Sequence, residues 1–193
     1  MTARLGVARL GGVALLVSAT ALVVACSSGV TTSSAVDKVK SSLAQALVQA
    51  HERALSERAA DPTAVDAAAA GRLGDAITGG NRTNLVSATV APDGVEALTT
   101  IGARAEVGGG LFYEQATLGA CLLTHATAGS LTGDVGERGT VSTKAVPCPD
   151  GIVPIADSAP VGATIQVLQG LSSPVPRPLS PPCFSGSGDC VGG

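Results

Sequence analysis

The sequence predicts an α+β fold: a long N-terminal amphipathic helix and a short second helix packed on a small antiparallel meander, followed by a proline-rich tail. Three observations carry this. Apolar residues recur at helical spacing between Ala35 and Ala60, they alternate with period two from Ala97 onward, and glycine or proline clusters punctuate the change.

The first helix follows from Val36, Val39, Leu43, Leu47, Ala50 and Ala54, spaced three or four apart. Lys38, Lys40, Gln45, Gln49, Glu52, Arg53 and Glu57 fall mostly on the other face. Ser34, with Asp37 three residues later, supplies an N-cap pattern. The apolar stripe is expected to pack on the protein's own sheet. His51, beside Glu52 and Arg53, is assigned to the solvent flank. Asp61-Pro62 punctuates the helix and is expected to cap a second one, running to about Ala70 and stopped by Gly71.

Gly79-Gly80-Asn81 breaks the helical pattern. Ala97, Thr99, Ile101, Ala103, Ala105 and Val107 then alternate with Leu98, Thr100, Gly102, Arg104 and Glu106, as in a half-buried strand. Gly108-Gly109-Gly110 reverses the chain. Phe112, Ala116, Leu118, Ala120 and Leu122 line one face of the returning strand, with Tyr113, Gln115, Thr117 and Cys121 on the other. A further strand is expected at Thr140–Val146, turning Val141, Thr143 and Ala145 to the core and stopped by Pro147-Cys148-Pro149. Short strands are expected at Ile152–Ile155 and Thr164–Leu168. Ser172 to Pro182 contains five prolines and reads as an extended tail.

Composition narrows the function classes. The chain has 193 residues, 45% hydrophobic, 14% charged and 2% aromatic, with a net charge of −3. A mildly acidic chain lacks the basic footprint of a nucleic-acid binder, and so few aromatics leave little to stack on bases. Nucleic acid is therefore not an expected partner.

The first 25 residues have the features of an export signal. Arg4 and Arg9 precede the apolar run Val13–Ala25, thirteen residues long, where a membrane-spanning helix needs about 20. That run ends Leu22-Val23-Val24-Ala25-Cys26, which resembles the lipobox of bacterial prolipoproteins. The resemblance implies a diacylglycerol on the Cys26 thiol, cleavage before Cys26 and retention at the membrane by acyl chains on the extracytoplasmic side. Two or more acyl chains make a stable anchor. Loss of residues 1–25 removes Arg4 and Arg9, leaving ten cations against fifteen acids, so electrostatic docking to anionic lipid is not expected. The Ala/Gly/Val-rich, Lys-poor composition also resembles that of exported lipoproteins from actinomycete-type bacteria.

Beyond Cys26 four cysteines remain: Cys121, Cys148, Cys183 and Cys190. An even number outside the cytosol reads as two disulfides, and the economical pairing is Cys121–Cys148 with Cys183–Cys190. In the strand register above, the first bridge is a surface, cross-strand one. Metal binding by Cys121, His125 and Cys148 is disfavoured. Cys121 and His125 have Cys-x3-His spacing, but ligands four apart on a strand lie about 13 Å from each other, and no C-x2-C pair occurs.

Catalytic signals are sparse. A hydrolase built on His125 with a serine, or with Asp134 or Glu137, is the alternative reading, but no Gly-x-Ser-x-Gly elbow occurs. Gly133-x-x-Gly136-x-x-Gly139 lacks a Gly-Lys-Ser/Thr ending, and its two acids would repel phosphate. No catalytic residue, cofactor or metal is assigned. The expected organisation is a signal peptide at 1–25, a tether at 26–34, an α+β domain at 35–170 and a tail at 171–193. The expected role is a membrane-anchored, non-catalytic module for an envelope protein or cell-wall ligand.

Overall fold

A computed structural model of the chain describes residues 34–79, 83–109, 112–132, 134, 136–154, 159–160 and 168–177. The lipobox with Cys26, the Cys183–Cys190 pair and residues 164–167 of one expected strand lie outside these residues.

The first helix, α1 (Ala35–Ala60), begins where the cap pattern puts it. Ser34 Oγ accepts from the Asp37 amide at 3.2 Å and donates to the Asp37 carboxylate at 3.0 Å, satisfying an amide that the helix leaves unpaired. Its buried stripe is Ala35, Val39, Leu43, Leu47, Ala50, His51, Ala54 and Arg58. His51 is thus not on the solvent flank. It stands four residues after Leu47 and three before Ala54, and only 4% of it is exposed.

The second helix, α2 (Ala67–Thr78), starts later and runs further than its sequence signals indicate. Its cap is Asp66, which accepts from the Ala69 amide at 2.7 Å. Asp61 instead accepts from the Thr63 hydroxyl at 3.0 Å within the connecting turn. Gly71 does not stop the helix, because Leu73 and Ile77 continue the apolar spacing of Ala69 and Ala70 and are fully buried. Tertiary burial outweighs the roughly 1 kcal/mol that an interior glycine costs.

Four strands follow as a meander: β1 (Thr83–Ala91), β2 (Gly94–Gly109), β3 (Phe112–Thr127) and β4 (Thr140–Val146). Two short strands complete the sheet, β5 (Ala159–Pro160) and β6 (Leu171–Pro174). The order is β1-β2-β3-β4-β6, antiparallel throughout, with β5 pairing in parallel beside β3. The domain is therefore a two-layer α+β fold in which both helices cover one face of the sheet. The β2, β3 and β4 alternation agrees with that read from sequence: Val95, Ala97, Ile101, Leu122 and Val141 meet the helices.

Three differences follow from tertiary pairing. β1 has no distinct sequence signal, because it is an edge strand whose residues stay largely exposed on both faces. Of the strand expected at Ile152–Ile155, residues 152–154 form a loop instead, and Ile155 lies outside the described residues. Leu171–Pro174, expected in the tail, pairs with β4, and Val175 beyond it is fully buried. The prolines are tolerated because β6 is an edge, where no further strand needs their missing amides.

α1 and β3 run in the same direction. Arg58 near the end of α1 donates to the Thr127 carbonyl at the end of β3, at 3.4 Å. One turn pair earlier, His51 contacts Thr143, which lies opposite Thr124.

Candidate functional site

Among the described residues, 147–154 fold back over the outer face of the sheet. Three restraints hold this segment. Cys121 of β3 is bonded to Cys148, closing a separation of 27 residues. Gly119 lies so close to Pro154 that an added Cβ would stand 2.5 Å from the proline Cβ, so only glycine fits. β5 then pairs with β3 at Leu118 and Gly119. The disulfide joins Cys121 to Cys148 as expected, but it is not a surface bridge. Cys121 is fully buried, and Cys148 lies beyond the end of β4. The segment Pro147–Pro154, absent from a strand-by-strand reading, is what buries it.

Between this segment and β1 lies an open depression of about 500 Å³. Its floor is the register pair Asn84 and Thr100, and its walls are Leu85 and Val86 on one side and Gly151, Ile152 and Val153 on the other. The β1 wall is shaped by a register shift between Leu85 and Ser87, which inserts Val86 as an extra residue. Such a bulge re-aims side chains at a sheet edge. Val153 is 61% exposed and Leu85 41%. The recess is uncharged, with apolar walls over a polar floor, and its loop wall is covalently pinned.

The sequence-derived candidates fall in separate places. His125, on the outer face, contacts Asp93 at 3.0 Å through Nε2. Its partner is neither Asp134, which is paired with Arg177 at 2.5 Å, nor Glu137. Ser142 stands directly across from His125 in the β3–β4 register. Arg104 and Tyr113 are brought together at the far end of β2 and β3 through Glu106, which accepts from Arg104 at 2.8 Å. The Tyr113 hydroxyl, and then Arg104, hold the Glu106 carboxyl below the usual carboxylate range, and Glu106 in turn raises Tyr113. His125 is twelve residues along β3 from Tyr113, about 40 Å at strand rise, so these three groups do not share a site. The Cys121 and Cys148 thiols are joined in a disulfide and offer no thiolate to a metal.

Three buried polar residues organise the interior. His51 is hydrogen-bonded to Thr143 and Ser173, and Thr143 to Thr124 at 3.2 Å. Burial pushes the His51 pKa down, with the Glu52 charge opposing. Arg58 donates to the carbonyls of Pro62 at 2.6 Å and Ala64 at 2.7 Å, closing the turn between the helices. Arg138 donates to Leu131 at 2.6 Å, Ala59 at 3.1 Å and Pro176 at 3.2 Å. These groups tie loops and termini together and face no solvent. Among the described residues no group of three or more His, Cys, Asp or Glu side chains is placed to hold a metal ion.

Comparison with protein-family models, with curated proteins and with solved structures finds no match in any of the three.

Proposed function

We propose that the chain is a lipid-anchored cell-envelope protein, acylated at Cys26 and facing the extracytoplasmic side, whose folded domain is a non-catalytic module for a protein or cell-wall ligand. The Leu22–Cys26 pattern after a basic start and a short apolar run supports the anchor. The observation that carries the binding reading is the recess between β1 and the Gly151–Val153 wall. A wall pinned by a disulfide needs little ordering when a ligand binds, so less of the contact energy is lost to entropy. Two measurements test the two halves. Cys26→Ser should leave the protein unprocessed or release it from membranes, and unchanged partitioning rejects the anchor. Val153→Asp should abolish co-sedimentation of the protein with purified cell-wall material, or its cross-linking to an envelope protein. Retention equal to wild type removes the recess as the binding site.

A second reading rests on His125, which has Asp93 as a bonded partner and Ser142 across the strand. A triad needs the histidine to offer its free nitrogen to the serine while the acid holds the other. Ester or peptidoglycan turnover that disappears in both His125→Ala and Ser142→Ala would establish this hydrolase and displace the binding module.

A further inference from the structure

The sheet has two unlike edges. β6 forms one with four residues, the last of them Pro174. β1 forms the other with nine, Thr83–Ala91, which include no proline and no charged side chain. Among the described residues β1 pairs with β2 alone. In an antiparallel ladder every second residue turns its amide and carbonyl away from its neighbour, so β1 presents a row of unpaired backbone groups on its far side. Natural edges of this length are usually blunted by lysine or proline, and β1 has neither.

The two faces of β1 differ. Leu85, Ala88 and Val90 stand opposite Thr99, Ala97 and Val95, all fully buried on the helix side. Leu85 reaches under α2, where its Cδ1 would lie 2.9 Å from a Cβ added to Gly74. Asn84, Ser87 and Thr89 stand opposite Thr100, Leu98 and Glu96 on the outer face. The helix-side face of the edge is therefore apolar and its outer face polar. The bulge creates this pattern. Leu85 and Val90 are five residues apart and would point to opposite faces of a regular strand, and the extra residue Val86 brings them to one face. Both remain open to solvent, Leu85 at 41% and Val90 at 52%.

We propose that β1 pairs with β1 of a second copy of this chain, antiparallel about a two-fold axis that passes through the sheet at Ala88, so that the two sheets become one. Counted in ladder positions, with Val86 as the extra residue, this axis sets Leu85 opposite Val90 of the second copy, Ser87 opposite its Thr89 and Asn84 opposite its Ala91. The axis repeats the Leu85–Val90 pair, with Ala88 against its own copy in between, so apolar residues meet apolar ones along the whole helix side. Hydroxyls meet hydroxyls on the outer side. Directly opposed pairs of these kinds are what stabilise a ladder. The uncharged strand lets two copies of a chain of net charge −3 meet without like charges facing each other. α2 packs on both β1 and β2, so its axis lies about half a strand spacing inside the edge. Across the new pair the two copies of α2 then stand about 10 Å apart, an ordinary helix-packing distance. A strand from a different protein would not require Leu85 to match Val90, and this self-matching pattern selects a second copy. The contact is isologous and closes on itself as a dimer.

The full chain in detergent tests the pairing. Sedimentation velocity should show a dimer that dissociates on dilution. Val90→Lys should weaken it by about tenfold or more, because each edge then sets an ammonium against Leu85 of the other copy. Val48→Lys, on the exposed side of α1, is the control and should leave the dimer unchanged. Under mild oxidation Ala88→Cys should cross-link to itself, since the axis puts the two positions face to face. Ser87→Cys should not, because its copies stand two ladder positions apart, about 8 Å and beyond disulfide reach. A mixture of Ser87→Cys and Thr89→Cys should cross-link, and the unsubstituted chain gives the background from its own cysteines. These cross-links decide the register even if Val90→Lys alters the fold. A monomer at every concentration overturns the pairing, as does a dimer that Val90→Lys leaves as tight as before. Self-cross-linking at 87 equal to that at 88 overturns it too. Ala88→Cys joined to a different protein when oxidation is done in cells would assign the edge to another partner and overturn the second copy.

Discussion

His51 on α1 is hydrogen-bonded through Nε2 to the hydroxyl of Ser173, 3.0 Å away and 122 residues later in the chain. Its Nδ1 contacts the Thr143 hydroxyl at 3.2 Å, so one ring joins the first helix, the fourth strand and the last strand. β6 has only four ladder residues, and the side-chain contact supplies what so short a pairing lacks.

Removing the ring should loosen that edge and weaken it further in acid. His51→Ala leaves the half-buried Ser173 hydroxyl without its ring partner and Thr143 with Thr124 alone, a loss of about 1 kcal/mol or more, with faster amide exchange in 171–175. Burial lowers the His51 pKa, so the unfolded chain takes up the proton first as pH falls. The stability that neutral His51 contributes is whole above its unfolded value of about 6.5 and is lost as pH falls from there toward the lower folded value. Thermal melts from pH 7.5 to 4.5 should show a steeper fall in Tm for wild type than for His51→Asn. Parallel curves would remove His51 as a source of acid sensitivity.

The Cys121–Cys148 bridge should matter for both stability and the recess. Cys121→Ala with Cys148→Ala is expected to cost about 3–4 kcal/mol by the loop-closure relation for this separation. Limited proteolysis should then cut first within 147–154. Cleavage elsewhere first would mean that Gly119–Pro154 packing alone holds the segment.

Arg138 should not be replaceable by lysine. Its Nε, Nη1 and Nη2 reach three carbonyls in three directions, a fork that a single ammonium does not reproduce. Arg138→Lys is expected to destabilise by about 2 kcal/mol or more, since hydrogen bonds to a charged donor contribute roughly 1.5–3 kcal/mol. Urea titration measures it, and a midpoint equal to wild type would contradict the assignment.

Gly119→Val tests the covering segment without touching the disulfide. The new side chain collides with Pro154, and forced overpacking costs about 1–3 kcal/mol. Lower stability with faster exchange at Gly151 and Ile152 is expected. An unchanged exchange pattern would show that Pro154 yields freely.

Much of the fold was legible because it is written locally. The cap at Ser34 and Asp37, the stripe from Val39 to Ala54 and the alternation from Ala97 to Leu122 each depend on residues close in sequence. The second helix departs from its local signals because Asp61-Pro62 and Gly71 are generic punctuation, whereas burial of Leu73 and Ile77 against β1 and β2 decides its bounds. His51 and Arg58 carried a usable signal in their spacing from Leu47 and Ala54, which their polar side chains obscured. A histidine on a buried stripe is admissible only when hydroxyls meet it, and here those hydroxyls come from distant strands.

The amino-acid sequence by itself determined the α+β class and the expectation of a lipid anchor, since each follows from periodicity or a short contiguous pattern, and it favoured Cys121–Cys148 among three possible connectivities, which the structure settles. Only the tertiary structure decided that Cys121 is buried, that Leu171–Val175 belongs to the domain, and that His125 partners Asp93. The reason is physical: burial and partnership are properties of surfaces that meet after folding. Residues 92 or 122 positions apart leave no local trace of the contact they will make.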